Sequence, residues 1–212
     1  MAILLFARSK DTSDASGKIA ALPTGVLNDG LWTLSTLPLD SGQNKHSESR
    51  GVIMNTGFLL ESEGFEDGAD IPVRYARYVM PGGQNVSIPF TWSNAPAGTK
   101  SFALAVIDRS ANDWVHWMVV NIPAGVNSLP EGVSGTAQMP EGAQELVNTF
   151  RQPGYGGPQP PRGTGVHQYE TTVYALSTEK VDLSGEATVD ELEEAVRPNL
   201  LGSAKMVGRM GR

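Results

Sequence analysis

Two stretches of this chain hold the residue types that could do chemistry. One runs Ile107-Asp108-Arg109-Ser110-Ala111-Asn112-Asp113-Trp114-Val115-His116-Trp117; the other runs from Gly154-Tyr155-Gly156-Gly157-Pro158 through Pro160-Pro161 to His167-Gln168-Tyr169. The chain has only three histidines, and His116 and His167 each fall where a loop meets an expected strand. Imidazole offers hydrogen bonds in either protonation state, and its pKa near 6.5 lets modest changes in surroundings charge it. Glycine-rich backbone can approach a ligand closely and turn its N–H groups inward. A carboxylate and two imidazoles gathered beside such a loop would make a small polar pocket suited to an anion. Asp108 itself cannot bind a dianion. Its expected work is to orient an imidazole, or to accept from an ammonium or hydroxyl on the ligand.

Other readings of the same residues compete with this one. His116 could be a satisfied core histidine bonded to Asp108, with no ligand. Asp108, His116 and His167 also have the residue types of a two-histidine, one-carboxylate metal triad, although no His-x-His or Glu-x-x-His spacing supports it. A serine hydrolase lacks its Gly-x-Ser-x-Gly elbow. Gly154-Tyr155-Gly156-Gly157 is not a phosphate loop, because no Gly-Lys-Ser/Thr follows and a strand comes next. Trp92, Trp114 and Trp117 read as core and rim packing. His46 reads as exposed polar surface.

Composition narrows the classes further. With 212 residues, 40% of them hydrophobic, the chain can bury one full core and carry an appendage. It has no cysteine, so disulfides and thiolate chemistry are excluded. A net charge of −7 argues against a nucleic-acid surface, which needs a basic stripe. No charge-free run approaches the roughly 18–20 residues of a membrane span. The apolar start Ala2–Phe6 is shorter than a signal core of about 7–15 residues. The expected location is the cytoplasm.

The elements that must position these residues are mostly strands. Gly (24) and Pro (14) are spread between apolar runs, which is the punctuation of many short strands and turns. Ser101 to Asp108 alternates, with Phe102, Leu104, Val106 and Asp108 on one face. Val115 to Ile122 is nearly all apolar, as a strand covered on both sides would be, and alternation puts His116 with Met118, Val120 and Ile122. Glu170 to Leu176 is a third strand, with His167 and Tyr169 sharing a face at its start. Thr188-Val189-Asp190-Glu191 matches a capping box. Leu192, Ala195 and Val196 give that helix its apolar stripe, and Pro198 ends or kinks it. Asn199 to Val207 is expected to form a second helix with Leu200, Leu201, Ala204 and Val207 inward. Residues 1–54 read differently: an alternating run Leu31–Leu37 precedes a polar linker around Ser41–Ser49. They form an N-terminal extension, an ordered arm or added strands, ahead of a domain spanning 55–212.

Five segments in order resemble the phosphatidylethanolamine-binding protein family, most closely its bacterial and archaeal branch, the raf kinase inhibitor-like proteins. They are Phe65–Tyr75, Phe90–Ser101, Trp114–Trp117, Asn121–Pro123, and Gly154–Pro158 with Pro160-Pro161 and His167. The resemblance runs from about Phe58 to Val207. It implies a mainly β fold, an antiparallel β-sandwich with short C-terminal helices, and a small pocket for phosphate-like anions. By position Asp108 matches the family's first acidic residue, His116 its strand histidine, His167 the histidine after the Gly/Pro loop, and Tyr169 a pocket-side aromatic.

The chain departs from the family's Asp-Pro-Asp-Ala-Pro run, which here reads Asp108-Arg109-Ser110-Ala111-Asn112. Loss of both prolines implies a less rigid loop. Gln168 stands where an arginine is usual, and Arg109 could return positive charge to the rim. The expected ligand contacts are Asp108, His116, Gly156, Pro158, His167 and Tyr169, with no metal, no cofactor and no catalysis. The expected partner is a small anionic ligand such as a phospholipid headgroup or another phosphorylated compound. The alternative is an interaction, scaffold or inhibitor protein of the kinase- or protease-inhibitor kind. In a further alternative, the 1–54 extension docks the chain into a larger assembly. A homo-oligomer is expected.

Overall fold

Period-2 alternation of apolar side chains builds two antiparallel sheets in the computed structural model, which describes residues 57–212. The 1–54 extension, its Leu31–Leu37 run and His46 lie outside the described residues. In chain order the elements are β1 (Leu59–Glu61), β2 (Phe90–Ser93), β3 (Ser101–Asp108), β4 (Trp114–Pro123), β5 (Ser128–Leu129), β6 (Gln144–Glu145), β7 (Val166–Leu176), α1 (Val189–Val196) and β8 (Leu200–Gly211). The small sheet is ordered β1-β2-β5, and the large one β6-β4-β3-β7-β8. The mainly β, antiparallel architecture expected from the sequence is what forms.

Each face of the large sheet has its own apolar layer. Between the sheets, Leu60, Phe90, Trp92 and Leu129 meet Phe102, Leu104, Val106, Trp117, Val119 and Val173. On the opposite face, Ala103, Ala105, Ile107, Met118, Val120 and Leu176 pack under Leu192 and Val196 of α1. This double covering is why β3 and most of β4 are buried residue after residue. The capping box at α1 forms in full: the Thr188 hydroxyl accepts from the Glu191 N–H, and the Glu191 carboxylate accepts from the Thr188 N–H.

The second C-terminal helix does not exist. After a single 3-10 turn at Arg197–Asn199, residues 200–211 form β8, paired antiparallel along the whole of β7. The helical spacing of Leu200, Leu201, Ala204 and Val207 competes with an even-numbered series, Gly202, Ala204, Met206, Gly208 and Met210, and that series is the buried one. Two of these positions need glycine. A Cβ at Gly208 would lie 2.5 Å from Ile71 Cγ1, and one at Gly202 2.9 Å from Pro96 Cγ. Without β8, the outer edge of β7 would leave its ladder groups unpaired, which a tertiary contact can correct and a local helix cannot.

Candidate functional site

Strand register brings the chemical residues together. Asp108 ends β3 and pairs with Trp114 on β4 and Tyr169 on β7. Directly paired residues share a face. Asp108, Trp114 and Tyr169 accordingly line one cavity of about 510 Å³, with His116, His167, Ser110, Ala111, Phe150, Gln159, Pro160, Pro161 and Thr164 completing its walls.

His116 reaches this cavity only because β4 is irregular. The register runs Val106↔Trp117 and then Ile107↔Val115, so His116 is an extra residue on its strand. Such a bulge re-aims a side chain. Met118 and Val120 belong to the layer under α1, whereas the His116 ring packs edge-on against Tyr169 at 5.1 Å and Phe150 at 5.6 Å. The face expected from simple alternation is therefore the wrong one. Ile122 leaves that face as well, at a second shift around Asn121, whose φ is 60°.

His116 is not bonded to Asp108. Its Nδ1–H donates to the Gly156 carbonyl at 2.5 Å. In a neutral ring, Nε2 then presents a lone pair, and no hydrogen bond within the described residues uses it. Burial holds the His116 pKa down to about 4, against the opposing pull of the Gly156 carbonyl and the Asp108 charge; the Arg77 charge lowers it further.

Asp108 orients His167 instead. The His167 Nδ1–H donates to Asp108 Oδ2 at 2.6 Å, and both side chains are buried. On the other edge of the ring, Nε2 lies 2.8 Å from Thr164 Oγ1, which is also 2.8 Å from the Pro161 carbonyl. The hydroxyl proton serves the carbonyl when His167 is doubly protonated, and Nε2 when it is neutral. Asp108 Oδ1 accepts from the Ser110 N–H at 2.9 Å. Both oxygens of Asp108 and both nitrogens of His167 are thus engaged within the protein.

The loop that lacks the family's prolines is tied by other means. The Arg109 N–H donates to the Gln168 carbonyl, and the Gln168 N–H to Ser110 Oγ. The Arg109 guanidinium pairs with Asp113 at 2.9 Å and Glu170 at 3.0 Å, with Glu193 of α1 at 3.7 Å. It therefore serves three carboxylates beside α1 and brings no charge to the cavity, contrary to the sequence expectation.

The Gly154–Pro158 loop acts by close approach, not by donating to a ligand. Its N–H groups are spent inside the protein: Gly154 to the Leu146 carbonyl, Gly156 to the His116 carbonyl, and Gly157 to Asn85 Oδ1. A Cβ at Gly156 would lie 2.6 Å from Phe150 Cδ2, and one at Gly157 would overlap the Tyr75 carbonyl. Gly156 and Pro158 are buried behind the wall, where the Pro158 carbonyl accepts from the Arg77 N–H at 3.2 Å. Gln159, Pro160 and Pro161 face the cavity in their place.

Two cavity residues keep unsatisfied donors. Trp114 Nε1 and the Tyr169 hydroxyl are buried with no hydrogen-bond partner among the described residues. Burial, then the adjacent Asp108 carboxylate, pushes the Tyr169 phenol well above its ordinary range. Phe150 was not foreseen, since nothing in its sequence neighbourhood marks it. It stands at the tip of a turn in which Asn148 Oδ1 accepts from the Phe150 and Gln152 N–H groups and Arg151 has φ 65°.

A second cavity, about 540 Å³, opens between the 112–113 loop, residues 147–151 and the start of α1. It holds no histidine and mixes Asp113, Glu186 and Asp190 with Arg151. The candidate site is the cavity with both histidines. Among the described residues its walls include one carboxylate and no lysine or arginine. Among the described residues no helix is long and apolar enough to cross a membrane.

The sequence and the overall fold have known relatives. The family described as Phosphatidylethanolamine-binding protein matches residues 61–211. A UPF0098 protein of Methanothermobacter thermautotrophicus is 36% identical over 151 residues, covering 70% of this chain and 95% of that one. The UPF0098 protein YbhB of Escherichia coli is 40% identical over 129 residues, 58% of this chain and 81% of the relative. The crystal structure of E. coli YbcL, described as a member of the mammalian PEBP family, superposes with a TM-score of 0.68 at 32% identity, covering 73% of this chain and 98% of that one.

Proposed function

Because this chain belongs to the phosphatidylethanolamine-binding protein family, we propose that it is a non-catalytic binding protein whose cavity takes one small anionic group, phosphate-like or carboxylate. The observation that carries this reading is the convergence of Asp108, His116, His167 and Tyr169 from three strands on a single cavity.

The arrangement favours a particular protonation state. His116 is neutral at physiological pH and offers Nε2 as an acceptor. A dianion would face that lone pair and the Asp108 carboxylate with no cation in the walls. A singly protonated phosphate monoester fits better, because its P–OH donates to His116 Nε2 while its remaining oxygens accept from the Tyr169 hydroxyl and Trp114 Nε1–H, both free to donate. Thr164 Oγ1, His167 and Asp108 stand in line as hydroxyl, base and orienting carboxylate, so the reading of binding without turnover rests on the family likeness and not on the lack of such groups.

Titration of the protein with inorganic phosphate and with phosphoethanolamine, following the His116 and His167 ring signals by NMR, tests it. Saturable shifts that disappear in His116→Ala are expected. An unshifted spectrum at millimolar ligand would sink the proposal.

A further inference from the structure

The cavity lacks a cation, yet one stands directly behind its wall. The Arg77 guanidinium lies 4.0 Å from the centre of the Phe150 ring. Its Nη1 is buried and meets no acceptor, and Arg77 makes no ion pair among the described residues. Phe150 also lines the cavity, and its ring sits edge-on to Trp114 at 5.2 Å and to His116 at 5.6 Å. Phe150 therefore touches both the guanidinium, whose Nη1 has no partner among the described residues, and the proposed anion site. The charge is felt across it, since Arg77 lowers the His116 pKa.

We infer that Arg77 is the cavity's anion-binding cation, held in reserve behind Phe150, and that the Phe150 ring is the gate between them. This rests on the anion-binding reading above. An unpartnered buried guanidinium N–H is costly to keep, and a carboxylate or phosphate oxygen is its best partner. The planar fork of arginine suits two oxygens of such a group. The stack on Phe150 is an interim arrangement that satisfies the charge weakly, through the ring face. The main-chain bonds of the 148–152 turn do not involve the ring, so a change of rotamer can uncover Arg77 while Asn148 still holds the turn. The bare Cα of Gly156 allows the ring to lie close in its present position. The ligand class is then an anion large enough to span from His116 past the displaced ring. A phosphate monoester and a phospholipid headgroup share that chemistry.

A double-mutant cycle on the full chain tests the gate, with inorganic phosphate and phosphoethanolamine as probes and His116 ring shifts as the readout. Phe150→Ala is expected to tighten phosphate binding at least fivefold. Phe150→Leu, which keeps an apolar side chain but offers the guanidinium no ring face, is expected to act in the same direction. Arg77→Gln is expected to weaken binding in the wild-type background and to abolish the gain from Phe150→Ala. Equal effects of Phe150→Ala with and without Arg77, or unchanged affinity in Arg77→Gln, overturn the gate while leaving the anion site standing. Absence of any His116-dependent phosphate binding, in wild type and Phe150→Ala alike, overturns both. Vesicles containing phosphatidylethanolamine, run beside phosphoethanolamine, separate a lipid source from a free one.

Discussion

His116 and Gly156 are bonded to each other twice. The His116 ring donates through Nδ1 to the Gly156 carbonyl, and the Gly156 N–H donates to the His116 carbonyl at 2.8 Å. The pair locks the imidazole tautomer and fastens the Gly/Pro loop to the bulge of β4. Orientation of one ring and closure of one wall are the same event.

That lock makes stability depend on acid in a defined window. The folded His116 pKa, about 4, lies below the ordinary 6.5, so between those values the unfolded chain binds a proton that the fold refuses. Above pH 6.5 the residue contributes no pH dependence. As pH falls from 6.5 to 4, it removes about 3 kcal/mol of stability, near 1.36 kcal/mol per unit. Urea unfolding at steps between pH 7 and 4 is expected to show the wild type losing that much more than His116→Phe. Parallel curves would refute the assignment.

Ligand affinity should vary with pH for a related reason. If the bound phosphate monoester keeps one proton against His116 Nε2, its affinity falls by up to tenfold per unit above the second phosphate pKa, about 6. Calorimetric titration of phosphoethanolamine at pH 5.5, 6.5 and 7.5 measures this. Affinity that rises with pH would contradict the hydrogen-bonding scheme.

Asp108 holds His167 and the Ser110 N–H with separate oxygens. Asp108→Asn can satisfy only one of these donors, because its amide nitrogen must face the other. The expected cost is about 2 kcal/mol in denaturant unfolding, together with weaker phosphate binding. Unchanged stability would mean that the His167 contact contributes little.

Gly157→Ala is expected to destabilise the fold by roughly 3 kcal/mol, since the added Cβ meets main-chain atoms of Tyr75 and Ala76, which cannot swing aside as a side chain can. A thermal shift below 2 °C would show that the loop yields.

The docking-arm alternative for residues 1–54 has its own test. Deleting them is expected to reduce the oligomeric state, measured by light scattering, and to leave phosphate binding intact. An unchanged mass and unchanged partners would remove the docking-arm reading.

Much of this was legible before any coordinates. The alternation of Phe102, Leu104, Val106 and Asp108, the nearly all-apolar run after Trp114, and the Thr188–Glu191 box each depend on neighbours within a few residues. Such local signals also placed Asp108, His116, His167 and Tyr169 near strand ends, where a pocket could form.

What alternation could not encode was the exception to itself. A one-residue bulge reverses the face of His116, and it exists only because β3 and β4 pair out of step there. Similarly, Asp108 had two candidate imidazoles in the sequence, and the pairing of β3 with β7 chose His167. Residues 200–211 carried both a helical and a period-2 pattern, and the open edge of β7 selected the strand. Arg77 and Phe150, 73 positions apart, had no signal at all. The sequence by itself determined which segments alternate, where the helix starts and which residues carry chemistry, because those depend on nearest neighbours along the chain. Only the tertiary structure decided which side chains meet, because register, bulges and edge pairing are properties of strands brought together from distant parts of the chain.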